Sequence, residues 1–182
     1  TNTMTQKNSV SVEKALKIEI ADMRAQMEAI SKVQAIIEFN MDGTIMTAND
    51  NFLSTLGYSL DEVQGQHHSM FVEPKLKNSH EYKAFWEGLN RGEFESKEYK
   101  RLGKGGKEVW IQASYNPIFD ESDNPYKVVK FATDVTEDKL RNADATGKID
   151  AISKAQAVIE FNMDGTIITA NDNFLSTLGY SL

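Results

Sequence analysis

The chain of 182 residues contains no cysteine and only three prolines and two tryptophans. Without cysteine it can form no disulfide, no thiolate metal site and no covalent adduct between a cysteine and a cofactor. It also lacks any apolar run of about 18 residues, and its polar first residues lack the basic and then apolar layout of a signal peptide. We therefore expect a cytoplasmic protein, with no membrane insertion in this segment.

Basic residues are in the minority, because 20 Lys and Arg stand against 27 Asp and Glu and give a net charge of −7. An acidic chain with scattered lysines does not form the basic patch that phosphate binding requires, so no nucleic-acid partner is expected. The motifs of phosphate loops, zinc proteases and serine hydrolases are also missing. We predict that this chain is not an enzyme.

One long stretch is present twice: residues 29–60 match residues 151–182 at a fixed offset of 122 positions. A period of this size is that of a whole domain, since solenoid repeats run to about 20–50 residues. We expect two modules in tandem, the second of them incomplete in this sequence. Only three of the 32 aligned positions differ, each by one apolar side chain for another: Val33 and Ala155, Ile36 and Val158, and Met46 and Ile168.

Hydrophobic periodicity predicts the order β-β-α-α-α-α-β-β-β for the first module. Residues 34–49 predict two strands joined by an Asp42-Gly43 turn, and Asn49 can cap the helix that follows. A longer amphipathic helix is expected in SHEYKAFWEGLNRG, and three strands are expected in EFESKEYKRL, KEVWIQASYNPIF and YKVVKFATDV.

This order resembles that of the PAS sensory domain, and so do the motifs DGTIMTANDNFLSTLGYS, KRLGKGGKEVWIQASYNPIFD and DVTED. HHSMFVEP and EYKAFWEGLNRGEF are similar to the tandem PAS domains of bacterial methyl-accepting chemotaxis proteins, of the aerotaxis-receptor type. The resemblance implies an α+β PAS fold, with a five-stranded antiparallel sheet and helices over one face. It also implies a ligand pocket between sheet and helices, with output through the helix after Asp134-Val135-Thr136.

Four segments are expected: an N-terminal amphipathic helix at 1–33, a PAS domain at 34–138, a linker helix at 139–152 and the truncated start of a second PAS domain at 153–182. The last segment lacks the strands against which its hairpin would pack, so it should not fold alone. Three outcomes are open for it: exchange with residues 29–60 of another chain, packing between chains, and disorder.

The predicted strand VWIQASYNP places Ile111, Ala113 and Tyr115 on one face, which we orient toward the pocket. These three residues are candidate cofactor contacts, together with Trp86 on the predicted central helix. The alternative for Trp86 is a packing residue of the core.

Haem b is the favoured cofactor hypothesis, because His80 resembles in register the histidine that haem-binding oxygen sensors of this fold present to the iron. His80 is then the candidate ligand of the haem metal; an exposed histidine in the first turn of a helix is the alternative. FAD is less favoured, because Val72 and Glu73 stand where FAD-binding aerotaxis receptors show basic residues. A module with no cofactor is the third alternative. Of the neighbouring His67 and His68, we expect one to pack and one to be solvated.

The segment before the module carries apolar residues at spacings of 4, 3, 4 and 3, which predict a coiled-coil seam of about two heptads: Leu16, Ile20, Met23, Met27 and Ile30. A weaker stripe follows in the linker, at Asn142, Ala145, Ile149 and Ile152. We expect a homodimer through these helices, and chemotaxis signalling partners that bind through a C-terminal domain outside this sequence.

The sequence therefore predicts a cytoplasmic sensory PAS module of a chemotaxis-type signal transducer. It would sense oxygen, redox state or a small ligand in an apolar pocket and relay the event through its flanking helices. The alternatives are a cofactor-free PAS dimerisation module and the input domain of a histidine kinase or cyclic-di-GMP enzyme.

Overall fold

The computed structural model describes the backbone of residues 2–181 and the side chains of residues 9–181. The chain divides into two compact units, one that ends at Val135 and one that begins at Thr136. The first unit contains a long helix and the complete sheet, whereas the second contains a helix, a hairpin and a short helix.

The elements of the first unit follow the predicted order. They are α1 (Asn2–Val33), β1 (Ala35–Asn40), β2 (Ile45–Ala48), α2 (Asp50–Leu56), α3 (Leu60–Val63), a 3₁₀ turn (His68–Phe71), α4 (Pro74–Lys77), α5 (His80–Asn90), β3 (Glu95–Leu102), β4 (Glu108–Phe119) and β5 (Pro125–Asp134).

The five strands form one antiparallel sheet in the order β2-β1-β5-β4-β3, which confirms the predicted fold class. The central strand β5 pairs with β1 on one side and with β4 on the other. In this register Lys130 of β5 lies opposite Ile37 of β1 and opposite Tyr115 of β4. The sheet thus places a lysine at the middle of its central strand.

The first hairpin and its following helix are held by two local devices. Gly43 adopts φ +86° in the turn, a conformation that glycine reaches without a steric penalty. Asn49 caps α2, since its Oδ1 accepts from the backbone N–H of Phe52 at 3.0 Å and from that of Ile36 at 2.9 Å. Its Nδ2 donates to the carbonyl of Gln34 at 2.8 Å, so one side chain joins the end of α1, strand β1 and helix α2.

The core of the first unit lies between the sheet and the helices that cover one of its faces. The inner face of β4 is buried at every second residue, as the period-2 pattern predicts. The buried apolar residues of this core include Ile37, Phe39, Ile45, Phe52, Phe71, Leu89, Val109, Ile111, Ala113, Tyr115 and Val128.

The second unit contains α6 (Thr136–Ala155), β6 (Ile159–Phe161), β7 (Ile167–Ala170) and α7 (Asp172–Leu178). Helix α6 extends three residues beyond both predicted ends of the linker. Asn171 repeats the cap of Asn49, with its Oδ1 accepting from the N–H groups of Phe174 and Val158, both at 2.9 Å. The hairpin side chains Phe161 and Ile167 are more than half exposed, because this unit has no further strands to cover them.

Candidate functional site

Aromatic side chains fill the space between α5 and the inner face of the sheet. The ring of Phe85 lies edge-on to Tyr115 with their centroids 4.8 Å apart, and Phe39 meets the ring of His68 in the same manner at 5.3 Å. Trp86 lies edge-on to Phe39 at 5.9 Å. Edge-to-face pairs at these separations are favourable, so the middle of the domain is a packed aromatic core.

His68 lies at the centre of this core and is fully buried. Its Nδ1 is 2.8 Å from the Tyr82 hydroxyl and its Nε2 is 3.0 Å from the Tyr115 hydroxyl. Burial lowers the pKa of His68 well below its usual value, and the nearby charges of Lys130 and Arg101 lower it further. The imidazole is therefore neutral at physiological pH.

The Tyr115 hydroxyl links this imidazole to a cation. Its oxygen accepts from Arg101 Nη2 at 3.2 Å and lies 3.0 Å from His68 Nε2. The direction of the two hydrogen bonds between the imidazole and the tyrosines depends on the tautomer of His68. Burial raises the pKa of Tyr82 to about 12 and raises that of Tyr115, so both hydroxyls keep their protons at physiological pH. Arg101, Tyr115, His68 and Tyr82 form one buried chain of hydrogen bonds, which we call the Arg101–Tyr82 chain.

Arg101 is buried, with 3% of its surface exposed. Its guanidinium carbon lies 4.4 Å from the centroid of the Tyr99 ring, and its Nη1 donates to the carbonyl of Lys100. Within the described residues its Nε has no hydrogen-bond partner. One donor of a permanently charged group is thus left without an acceptor.

Lys130 projects from the middle of β5 into the core and is fully buried. Its Nζ lies 4.8 Å from the centroid of the Tyr115 ring and 5.5 Å from that of Phe52, and it has no hydrogen-bond partner in the part of the chain that the structure describes. Burial lowers the pKa of Lys130 well below its usual value, and the charge of Arg101 acts in the same direction. The amine is therefore held in an environment that favours its neutral form.

A cleft of about 330 Å³ lies between α5 and β3, and we call it the α5–β3 cleft. Apolar lining comes from Ala84, Phe85 and Leu89 of α5. Polar and charged lining comes from Glu81, Glu93, Glu95, Lys97, Tyr99 and Arg101. The volume is at the lower end of the range of about 300–1,000 Å³ for small-molecule sites. The cleft thus joins the buried Arg101 to an apolar wall.

Comparison with protein families assigns both units of the chain. Residues 45–132 match the PAS fold family model, and residues 156–181 match a second model described as a PAS domain. This chain belongs to the PAS family. The first match lies in the unit that contains the complete sheet, and the second lies in the repeated segment.

Relatives of this PAS protein include signalling proteins. The biofilm dispersion protein BdlA of Pseudomonas aeruginosa is 42% identical over 154 residues, which is 85% of this chain and 37% of BdlA. The aerotaxis receptor of Escherichia coli is 33% identical over 82 residues, or 45% of this chain and 16% of the receptor. The chain spans much less than two thirds of either relative. The likeness supports the assignment to PAS domains of chemotaxis-type receptors.

Solved structures with the same fold include the PAS domain of a protein from Colwellia psychrerythraea, with a TM-score of 0.55 and 23% identity. That match covers 63% of this chain and 98% of the other. A light-oxygen-voltage domain studied with a flavin analogue matches with a TM-score of 0.53 and 22% identity, covering 69% of this chain and 96% of that one. At these identities the likeness shows the PAS fold alone.

The predicted contact residues on β4 and α5 lie in the core and do not line the α5–β3 cleft. Ile111, Ala113 and Tyr115 are buried on the inner sheet face, but they contact core side chains and do not line the α5–β3 cleft. Trp86 also lies outside the lining of the cleft, in the aromatic core. The reason is that α5 packs directly on the sheet, so the expected pocket over the middle of β4 is filled by side chains. Their contact with a cofactor stays a prediction.

His80 is exposed at the first residue of α5, where Ser79 caps the helix by accepting from the N–H of Tyr82. An axial ligand must present a free imidazole nitrogen to an enclosed pocket, and His80 does not line the cleft. Both ring nitrogens of the buried His68 already face tyrosine hydroxyls. The residues present thus do not fit haem ligated by His80, and this ligation stays a prediction.

The two residues that argued against FAD, Val72 and Glu73, both contact other parts of the first unit. Val72 is buried, and Glu73 forms an ion pair with Lys100 at 2.6 Å. Neither residue offers a free cation to a dinucleotide phosphate. No group of three His, Asp or Glu side chains is placed to hold a metal ion in residues 9–181, and no helix of residues 2–181 is long and apolar enough to cross a membrane.

Sequence reasoning missed Arg101 and Lys130. Arg101 shares a strand face with Tyr99 in EFESKEYKRL, and this spacing could have indicated that both residues turn inward. Lys130 gave a weaker indication, because apolar residues occupy both faces of YKVVKFATDV and leave the inner face ambiguous. Of the histidine pair, His68 packs in the core as expected for one of the two, and His67 is partly exposed.

Proposed function

We propose that this chain is the sensory part of a chemotaxis-type signal transducer and acts in the cytoplasm. Its first PAS unit detects a small molecule in the α5–β3 cleft and relays binding through the helices before and after the sheet. The observation that carries this proposal is that the cleft is directly connected to the Arg101–Tyr82 chain. Occupation of the cleft therefore perturbs hydrogen bonds that join the sheet to α5.

The position of β5 in the sheet, and its connection to the following helix, also support a sensory role. Strand β5 is central in the sheet, pairs with both β1 and β4, and leads directly to helix α6 at Thr136. Helix α1 enters at β1, which is the other neighbour of β5. A shift of the sheet is thus transmitted to chain segments before and after the domain, which is the kind of small displacement that switches helical signalling elements. The proposed role is non-catalytic.

A cavity-filling substitution tests the role of the cleft. Ala84 lines it from α5, and Ala84→Phe places a ring in the space that a small ligand would occupy. In cells that express the natural protein with this substitution, we expect the change of swimming direction after a step in oxygen or in a redox-active quinone to be lost. Lys83→Phe, at the exposed neighbouring position, is the matched control and should respond like the parent. An unaltered response of the Ala84→Phe strain contradicts sensing through the cleft.

The cofactor hypotheses are separated by the visible spectrum of freshly purified protein. A small-ligand sensor without a prosthetic group shows no Soret band and no flavin bands, and this is the result that we expect. If a Soret band is present, His80→Ala shows whether His80 binds the iron, because loss of an axial ligand removes or shifts the band. A band that disappears in His80→Ala but persists in His67→Ala would overturn the small-ligand proposal in favour of haem.

A further inference from the structure

The core of the first PAS unit contains buried cations without buried anions. Arg101 is 3% exposed and Lys130 fully buried, whereas no Asp or Glu side chain of residues 9–181 is buried. A buried charge is strongly unfavourable unless it is neutralised or meets a counterion. Lys130 can lose its proton, and its environment favours this. The guanidinium of Arg101 cannot, so Arg101 is the buried group that requires an anion.

The contacts of Arg101 leave its charge uncompensated. Nη1 donates to the carbonyl of Lys100 and Nη2 donates to the hydroxyl of Tyr115, both of which are neutral acceptors. The Tyr99 ring covers one face of the guanidinium at 4.4 Å. Nε has no acceptor among the described residues. One buried N–H of a permanently charged group is therefore left without an acceptor.

The surroundings of this guanidinium indicate the kind of anion that fits. Arg101 lines the α5–β3 cleft together with the side chains of Phe85 and Leu89. A planar guanidinium is suited to a carboxylate, and the apolar wall beside it is suited to a hydrocarbon portion. We propose that the cleft binds a small organic acid, with its carboxylate on Arg101 and its apolar part against α5. This inference rests on the proposed function, since it names the chemistry of the ligand that the cleft detects.

The charged residues at the rim of the cleft restrict the charge of the ligand. Glu93 is paired with Arg91 at 2.8 Å, and Glu95 is paired with Lys97. Glu81, in the first turn of α5, adds a further exposed carboxylate to the lining. Repulsion by these carboxylates increases with the charge of the ligand, so it disfavours a phosphate or a dinucleotide more than a single carboxylate.

Ligand binding at Arg101 acts on the end of the Arg101–Tyr82 chain. A carboxylate on Nε draws the guanidinium toward the cleft and weakens its donation to Tyr115, which is 3.2 Å away in this structure. Tyr115 belongs to β4 and Tyr82 to α5, so the same displacement changes the hydrogen bonds between sheet and helix. The organic acid thereby becomes the signal that the domain relays.

The test compares carboxylates with their neutral amides on the complete chain of residues 1–182. Hexanoate, benzoate, hexanamide and benzamide are titrated to millimolar concentrations, and amide chemical shifts are followed by NMR. The carboxylates should shift resonances of residues 81–101 in a saturable manner, whereas the amides, which match them in shape, should not. Because the comparison uses the unmodified protein, it does not depend on the folding of a variant.

Two substitutions then locate the charge that binds. Arg101→Met should weaken hexanoate binding on the order of tenfold or more, because a charge-assisted hydrogen bond is lost. Lys107→Met removes an exposed cation outside the lining of the cleft and should leave the affinity within about twofold. Arg101→Lys keeps the charge and reports affinity if Arg101→Met does not fold.

Three results would overturn the proposal. They are the absence of any saturable shift with either carboxylate, equal binding of acid and amide, and an equal loss of affinity in the Lys107 and Arg101 variants. None of them affects the outcome of the Ala84→Phe swimming assay. Failure of the organic-acid proposal is therefore distinguishable from failure of the sensory role.

Discussion

The imidazole of His68 is buried between two tyrosine hydroxyls, and this position couples its protonation to the stability of the fold. The pKa of His68 in the folded protein lies well below the ordinary histidine value of about 6.5, because of burial and the nearby Lys130 and Arg101. Below about pH 6.5 the His68 imidazole is therefore protonated in the unfolded chain and neutral in the folded chain. The contribution of His68 to stability is complete above this pH and is lost as the pH falls.

We expect the free energy of unfolding to decrease between pH 7.5 and pH 5.5, with His68 contributing a slope of up to about 1.4 kcal/mol per pH unit. Urea titrations at several pH values, followed by tryptophan fluorescence, measure this slope. His68→Gln removes the titrating group, so its slope over the same interval should be smaller even if the variant is less stable overall. Equal slopes in the two proteins would show that His68 does not control acid stability.

Lys130 provides a second test at the residue scale. Replacing a buried, unpaired lysine with methionine of similar length removes the penalty of burying the amine, so Lys130→Met should stabilise the protein at pH 7 by about 1–4 kcal/mol. The gain should shrink toward pH 10, because the unfolded wild-type lysine then also loses its proton.

Lys107→Met, at an exposed position, is the control for Lys130→Met and should change stability by no more than about 0.5 kcal/mol. Differential scanning calorimetry at the two pH values gives the comparison. A destabilised Lys130→Met variant would indicate that the amine has a partner that the static structure does not show.

At the scale of elements, the repeat supplies an internal control for helix capping. Asn49 joins α1, β1 and α2 within the complete PAS unit, and Asn171 makes the equivalent bonds in the second unit. Asn49→Ala should reduce the free energy of unfolding of the first unit by roughly 2 kcal/mol or more, since the cap and three further bonds to backbone groups are lost.

Asn171→Ala removes the equivalent hydrogen bonds in the second unit and should leave the unfolding transition of the first unit unchanged. Both tryptophans, Trp86 and Trp110, belong to the first unit, so fluorescence reports on that unit alone. Asn49→Asp retains the acceptor of the cap and loses the donor, and its stability should lie between those of the parent and Asn49→Ala. An Asn49→Ala variant as stable as the parent would contradict the structural role of this side chain.

At the scale of the whole molecule, helix α1 carries the apolar stripe that predicts a dimer. Its stripe residues Leu16 and Met23 are 54% and 59% exposed in the single chain, which leaves the seam uncovered. We expect Leu16→Lys combined with Met23→Lys to convert a dimer into a monomer, because each helix would bring two charges into the shared seam. Size-exclusion chromatography with light scattering measures the molar mass.

Ile18→Lys is the matched control for the dimer prediction. Ile18 is 62% exposed and lies about 200° from Leu16 around the helix, so its replacement should leave the dimer intact. Dissociation by Ile18→Lys alone would place the dimer contact on another face of α1. A parent chain that is already monomeric at micromolar concentration would contradict the coiled-coil prediction itself.

The exchange of the repeated segment between chains stays a prediction, and it has a separate test. Exchange from each chain to the next forms assemblies larger than the α1 dimer, whereas reciprocal exchange between two chains closes a dimer. If exchange holds the chains together, deleting residues 151–182 should lower the molar mass measured by light scattering. An unchanged dimer after the deletion would show that this segment does not hold the chains together.

The sequence by itself determined the elements and the family of this protein, because both depend on local chemistry. The Asp42-Gly43 turn, the Asn49 cap and the alternation along β4 each arise from residues that are neighbours in the chain. The repeat at a fixed offset likewise needs no structure to recognise. For the same reason the order of strands and helices could be predicted, and with it the PAS fold.

Only the tertiary structure decided the composition of the site. His68 comes from a 3₁₀ turn, Arg101 from β3 and Lys130 from β5, and no local pattern relates segments that are about 30 residues apart in the chain. The direct packing of α5 on the sheet fills the expected pocket and leaves the cleft at the edge, beside β3. Which face of β5 turns inward depends on its register with β1 and β4, since both of its faces are apolar, and register is set by pairing between distant strands.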